Sequence, residues 1–208
     1  MQTPRRTLAS VFSVVLAAAS LVAVAPAAAA TPLGTNLVKN PGAQSGSLGS
    51  ATSWDTDLAF SSRKYGDPGM PSKAHGNSFG GGTRLFSTGP YDENFDGCGS
   101  ATQFINITGR GGAIDNGNLK VTLKARLGTL STQSSAQVTL QFRDSNNHQV
   151  GNQVKVGPVS TNKTLVSRSA SRRIPDGART FRVQILGNPS EQTCDAVIDL
   201  VNVQVTSY

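Results

Sequence analysis

From about position 101 onward, apolar and polar residues alternate with a period of two. Val121, Leu123, Ala125 and Leu127 fall on one side of the Leu119–Leu127 run, and Thr122, Lys124 and Arg126 on the other. Ala136–Asp144 repeats the pattern with Val138, Leu140 and Phe142 against Thr139, Gln141 and Arg143. Thr180–Leu186 does so with Phe181, Val183 and Ile185 against Arg182 and Gln184. Period-two alternation predicts β-strands with one buried face. Ala101–Thr108 is a further strand, carrying Phe104, Ile105 and Ile107. Ser145-Asn146-Asn147 is a turn from which Gln149–Val156 returns, and Thr164–Arg173 is a mostly polar strand, as an edge strand is.

The last run, Ala196–Val205, breaks its own pattern. Val201, Val203 and Val205 are odd-numbered apolar positions, whereas Ile198 is even, so the parity changes at Asp199-Leu200. An extra residue in a bulge accounts for the change and re-aims side chains. A carboxylate within an apolar strand is costly unless something compensates it. The residues alone leave two readings of Asp199 open: an exposed acid at a strand start, or an acid that is paired or metal-bound.

The first hundred residues are less regular. Asn36–Gly46 opens as a strand and is stopped by Asn40-Pro41-Gly42. Trp54 begins a run to about Tyr65 and is expected in the core. Gly66–Asp96 holds Pro68, Pro71, Pro90 and the Gly80–Gly82 run. No Lys-Ser/Thr follows those glycines, which excludes a phosphate loop. Nothing after residue 30 reads as a helix. Eight or nine short one-faced strands in one domain predict an all-β fold, a two-sheet antiparallel β-sandwich of the jelly-roll type. The expected core is Val121, Leu123, Val138, Leu140, Phe142, Phe181, Val183, Ile185, Val201 and Val203.

Residues 1–30 read differently: Arg5 and Arg6, then an apolar run over Leu8–Val24, then Ala28-x-Ala30. This is the make-up of a secretory signal peptide, leaving residues 31–208 as a single domain that is secreted and extracellular. Removing Arg5 and Arg6 takes the net charge from +7 to +5, and a basic exported chain favours anionic surfaces. With no basic run and no stacking aromatics in series, nucleic acid is not expected as a partner. No other stretch is long and apolar enough for a membrane span, and the expected state is a monomer. Cys98 and Cys194 form an even pair, read as one disulfide pinning a middle loop to the last strand.

Candidate chemistry lies in the irregular loops. Tyr65, Tyr91 and Phe95 could stack on sugar faces, with Arg84, Asp92, Glu93 and Asn94 beside them for hydroxyls; the same rings could instead plug the end of the sandwich. A second surface is the outward row Lys124, Arg126, Gln141, Arg143, Arg182 and Gln184. It has no aromatic and suits an anionic polymer or plain solvent. An enzyme, either a glycoside hydrolase or a polysaccharide lyase, is the competing reading. Glycoside hydrolysis needs a placed carboxylate pair, and Glu93 and Glu191 are the chain's two glutamates. A third reading is a surface scaffold with no sugar ligand.

Four segments carry a resemblance: Asn36–Gly46 followed by Trp54, Gly76–Gly82, Ile174–Arg179 and Ala196–Val203. In that order the sequence resembles the jelly-roll carbohydrate-binding modules of bacterial glycanases, within the galactose-binding-like fold. The resemblance implies a non-catalytic protein that binds a polysaccharide or cell-wall glycan. It makes Asn36–Gly46 the opening strand, Gly76–Gly82 a short central strand and Ala196–Val203 the closing strand. It also implies a structural calcium (Ca2+) where the opening and closing strands meet. Asp199 matches the closing-strand ligand; the opening-strand acid is Gln44 here, an amide that offers calcium one charge fewer.

Overall fold

The structure is a computed structural model and describes residues 31–57, 59–89, 98–189 and 194–208. The proposed signal peptide lies outside the described residues. The strands in chain order are β1 (Gly46–Ser47), β2 (Ser50–Ala51), β3 (Asp55–Thr56), β4 (Ser61–Lys64), β5 (Arg84–Ser87) and β6 (Ser100–Asn106). They continue with β7 (Leu119–Thr129), β8 (Ser134–Arg143), β9 (Val154–Val159), β10 (Val166–Arg173), β11 (Thr180–Pro189) and β12 (Ala196–Ser207). Sheet I has the order β10-β7-β12-β5-β4, and sheet II the order β3-β6-β11-β8-β9. All pairings are antiparallel. The chain crosses repeatedly from one sheet to the other, which is the two-sheet jelly roll the alternation predicts.

All ten residues expected in the core are buried. Phe142 and Phe181, register partners on β8 and β11, pack edge to face with ring centroids 5.7 Å apart. Trp54 is buried against Phe86 at 5.4 Å, and its indole N–H donates to the Asn40 carbonyl, so the ring packs the core. Cys98 and Cys194 are bonded. The polar run ending at Arg173 is an edge strand, β10, as its composition predicts.

The parity change near Asp199 is a bulge. Asp199 pairs with Arg126 and Asn202 with Lys124, so Leu200 and Val201 together face Ala125 of β7. Leu200 takes a positive φ of 49°. The bulge also marks where β12 changes neighbours. Before it, Val197 and Ile198 pair with β5. Beyond it, the opening segment takes that edge: Val201 N–H donates to the Pro41 carbonyl, Leu37 N–H to Val203 and Gly34 N–H to Val205. The Asn36 side chain clips the junction, donating to the Val201 carbonyl and accepting from Val203 N–H. Buried peptide groups that β5 leaves unpaired are thus satisfied by the chain's own start.

Two expectations about the middle of the chain are corrected. Short helices are present: α1 (Lys73–Asn77), which Ser72 caps through its hydroxyl, α2 (Gly111–Asp115) and a 3-10 turn before it. Gly76–Gly82 is therefore no central strand. It runs out of α1 through a turn, and β5, just after it, is the strand. Gly76 lies against the Tyr65 ring, where a Cβ would sit 2.9 Å from the ring carbons. The glycines of this stretch admit a close approach that the other residues would block.

Candidate functional site

Two places hold the chemistry: a cluster around Asp199 beneath the loop between β4 and β5, and the outer face of sheet II. At the first, the bulge turns the Asp199 side chain to the outer side of sheet I, where the loop covers it completely. Tyr65 Oη donates to Asp199 Oδ2 at 2.7 Å, and Leu200 N–H donates to Oδ1 at 2.7 Å. A Cβ on Gly81 would stand 2.5 Å from Oδ2, and one on Gly42 2.8 Å from Oδ1. Arg126, beside Asp199 in the register, stacks its guanidinium over Phe79 at 4.2 Å. Burial raises the Asp199 pKa to about 7, against the lowering pull of the Tyr65 and Leu200 hydrogen bonds and the Arg126 charge. The Tyr65 hydroxyl is pushed well above its ordinary value, first by burial and then by the neighbouring carboxylate, so it remains a donor.

Tyr65 is 1% exposed and spends its hydroxyl on Asp199. It plugs the loop and offers no face to a sugar, which corrects its place among the stacking candidates. Arg84 is likewise occupied: Nε and Nη2 donate to the hydroxyl and carbonyl of Ser62. Tyr91, Asp92, Glu93, Asn94 and Phe95 lie outside the described residues.

Gln44 reaches the same loop from the other side. Its Nε2 is within 2.5 Å of the Gly42 carbonyl oxygen, 3.1 Å of Gly81 O and 2.9 Å of Arg84 O. Its Oε1 accepts from the Thr83 N–H and hydroxyl. Three carbonyl oxygens converging beside a carboxylate are the donors a hard cation takes. Here an amide NH2 already stands among them. Turning the amide over would present its oxygen to a cation but set its NH2 against the Thr83 N–H. The Asp199 oxygens are sealed in and already hydrogen-bonded. As arranged, these residues do not fit calcium.

Sheet II presents a different surface. β11 lies between β6 and β8, and its outward residues form cross-strand rows: Phe104–Arg182–Gln141, Thr102–Gln184–Thr139 and Asn106–Thr180–Arg143. Phe104 is 54% exposed, and among the exposed large apolar residues of the described part of the chain it is the one that sits within a strand. It borders an open groove of about 770 Å³ between β6, β3 and the opening segment, a ligand-sized space. Lys39, Asp55 and Asn106 line it beside the ring. Its floor is fixed by Gln103, which accepts from Lys39 N–H and donates to the carbonyls of Lys39 and Ser53.

The outward row expected from the sequence thus divides. Lys124 and Arg126 belong to sheet I, while Gln141, Arg143, Arg182 and Gln184 belong to sheet II and do have an aromatic among them. The sequence held the signal for Phe104. Ile105 and Ile107 are buried odd positions, so the even-numbered Phe just before them on the same strand must face outward.

Most described carboxylates serve local structure. Asp57 accepts from Ser100 N–H, Asp67 from Lys64 N–H and Asp195 from the Ser131 hydroxyl. Asp115 binds Arg179, which with the Gly177 N–H holds its pKa below the ordinary value. His148, in the turn after β8, donates its N–H to Asp144. His75, placed on α1, accepts from Leu165 N–H through Nε2. Among the described residues no helix is long and apolar enough to cross a membrane.

No protein-family model matches the sequence, and neither does any curated protein. Solved structures do share its fold. The enzymatically active domain of tailspike protein 4 from bacteriophage CBA120 matches with a TM-score of 0.55 at 15% identity, over 82% of this chain and 21% of that one. This chain therefore spans about a fifth of that tailspike chain. The apo form of a cyclase from Fischerella sp. matches with a TM-score of 0.55 at 14% identity, over 82% of this chain and 95% of that one. Carbohydrate-binding modules are also among the similar structures. TmCBM61, solved with beta-1,4-galactotriose, matches with a TM-score of 0.44 at 16% identity, over 84% and 99% of the two chains. At these identities the likeness is one of fold, a β-sandwich.

Proposed function

We propose that the protein is a secreted, non-catalytic carbohydrate-binding protein that takes a neutral glycan in the groove beside Phe104. The observation that carries this reading is an aromatic ring held out from a strand, on a largely polar sheet face, bordering a ligand-sized groove. A pyranose presents one apolar face to a ring and hydroxyls around its rim. Phe104 supplies the first contact, and Lys39, Asp55, Asn106 and Arg182 supply donors and acceptors for the second. The resemblance of the sequence to glycan-binding modules and the disulfide support the same reading, the latter because such bonds persist outside the cell.

The calcium of the resembling modules has no part in this reading. In its place the Gln44 amide closes the carbonyl cluster and ties it to the loop over Asp199.

The test is Phe104→Ala on an array of neutral polysaccharides that includes β-1,4-galactan and xylan. Loss of a central aromatic anchor is expected to weaken binding about tenfold or more. The melting temperature should stay unchanged, because the ring is exposed. Undiminished retention by the folded variant would exclude the groove.

A further inference from the structure

The opposite face of the sandwich has another character. β7, β10 and β12, adjacent in sheet I, carry six cations, of which Lys120, Lys124, Arg126 and Arg173 share the outer face, while Arg168 and Arg172 are in register with the inward Ala125 and Val121. Their one acid is Asp199, which is fully buried. The ion pairs among the described residues lie elsewhere, at Arg179–Asp115 and His148–Asp144. The nearest exposed acid along the chain, Asp176, is past the end of β10.

We infer that this face is a docking surface for a linear acidic polysaccharide. The register sets out its outward residues in rows. Arg173, Lys120 and Thr206 form one row, Ser171, Thr122 and Gln204 the next, and Ser169, Lys124 and Asn202 a third. Two rows holding cations thus flank a row of hydroxyls and an amide. Lys120 and Lys124 are four residues apart on one strand, about 14 Å along it. A polymer of carboxylated sugars matches both features. Its carboxylates meet the lysines and Arg173, and its hydroxyls meet the middle row, where Thr122 and Ser171 already hydrogen-bond each other at 2.7 Å. A polyanion without hydroxyls would leave that row unused.

Protection of a sheet edge against pairing explains part of the charge but not this part. Arg168 and Arg172 lie on the edge strand β10, where cations discourage association with another chain. Lys120 and Lys124 lie on β7, which is covered by a strand on each side and needs no such guard. Concentrated charge of one sign costs self-repulsion, which an anionic partner relieves.

The surface is separate from the Phe104 groove, and the two can be tested apart. Binding of the full chain to polygalacturonate, neutral galactan and polyglutamate is compared at low and high salt, alongside a Lys120→Glu/Lys124→Glu double variant and Phe104→Ala. Polygalacturonate should bind at low salt, weaken as salt rises and bind more tightly than polyglutamate. The double variant should lose about tenfold or more of that affinity, because reversed charges now oppose the polymer. It should keep the wild-type melting temperature, and Phe104→Ala should retain polygalacturonate in full. Failure of the wild type to bind polygalacturonate at low salt, equal binding by the double variant, or equal binding of polyglutamate overturns the inference. A weakened Phe104→Ala would place the acidic polymer in the groove and overturn it equally.

Discussion

Replacing Cys98 and Cys194 together by serine is expected to cost about 2–5 kcal/mol of folding stability, one of the two largest effects foreseen for this protein. The bridge joins residues 96 apart in sequence. In the chain-entropy account, a loop of that size, once released, returns roughly 4.7 kcal/mol of freedom to the unfolded chain. The native state also depends on the link locally. Thr88 N–H donates to the Ala196 carbonyl, and Gly99 N–H donates to the Thr88 carbonyl, so three segments meet beside the bridge at the head of β12. Urea unfolding of the double variant should show a lower midpoint. An unchanged midpoint with an unchanged slope would mean that the bridge restrains nothing the fold does not already restrain.

The second large effect concerns Asp199 and runs against the usual behaviour of acids in folded proteins. Its pKa is raised from 3.8 to about 7 by burial, so between those values the folded state binds a proton that the unfolded state has lost. The stability this contributes is complete below pH about 4 and is lost as pH rises to about 7, at about 1.4 kcal/mol per pH unit. Thermal unfolding across that window should show wild type falling relative to Asp199→Asn, which carries no such charge. A cation-bound carboxylate would behave in the opposite sense, losing stability on acidification. Calcium and magnesium at millimolar concentration should shift the wild-type transition equally. Gln44→Glu would set a carboxylate against the carbonyls of Gly42, Gly81 and Arg84. That variant should be weakened in chelator and rescued by calcium. A saturable calcium-specific rise in the wild type, together with acid destabilisation, would show that the amide does not stand in for a metal.

Much of the architecture was legible in the sequence because period-two alternation is a local signal. It places Val121, Leu123, Leu140 and Val183 inward wherever their partners lie, and the parity slip at Asp199 marks the bulge. Alternation does not say to which sheet a strand belongs. For that reason one expected row of outward residues, from Lys124 to Gln184, proves to be two surfaces on opposite faces. The sequence leaves Tyr65 open between stacking and plugging for a related reason. Its partner, Asp199, is 134 residues away, and nothing near Tyr65 announces a buried acceptor. The helix at Lys73–Asn77 is a single capped turn, too short for apolar periodicity to reveal. Phe104 was within reach, since two neighbouring apolar residues on one strand cannot both face the core. The Gln44 arrangement was not, because two of the carbonyls it gathers, those of Gly81 and Arg84, lie 37 and 40 residues further along the chain.

The carbohydrate-binding reading of the Phe104 groove is tested most directly by NMR titration of uniformly 15N-labelled protein with the neutral oligosaccharide that binds best on the array. The expected result is saturable shifts of backbone amides at Lys39, Asp55, Phe104, Asn106 and Arg182, with those of β7 and β10 unmoved. Shifts confined to the loop over Asp199 or to sheet I, or no saturable shift with any neutral oligosaccharide, would contradict it.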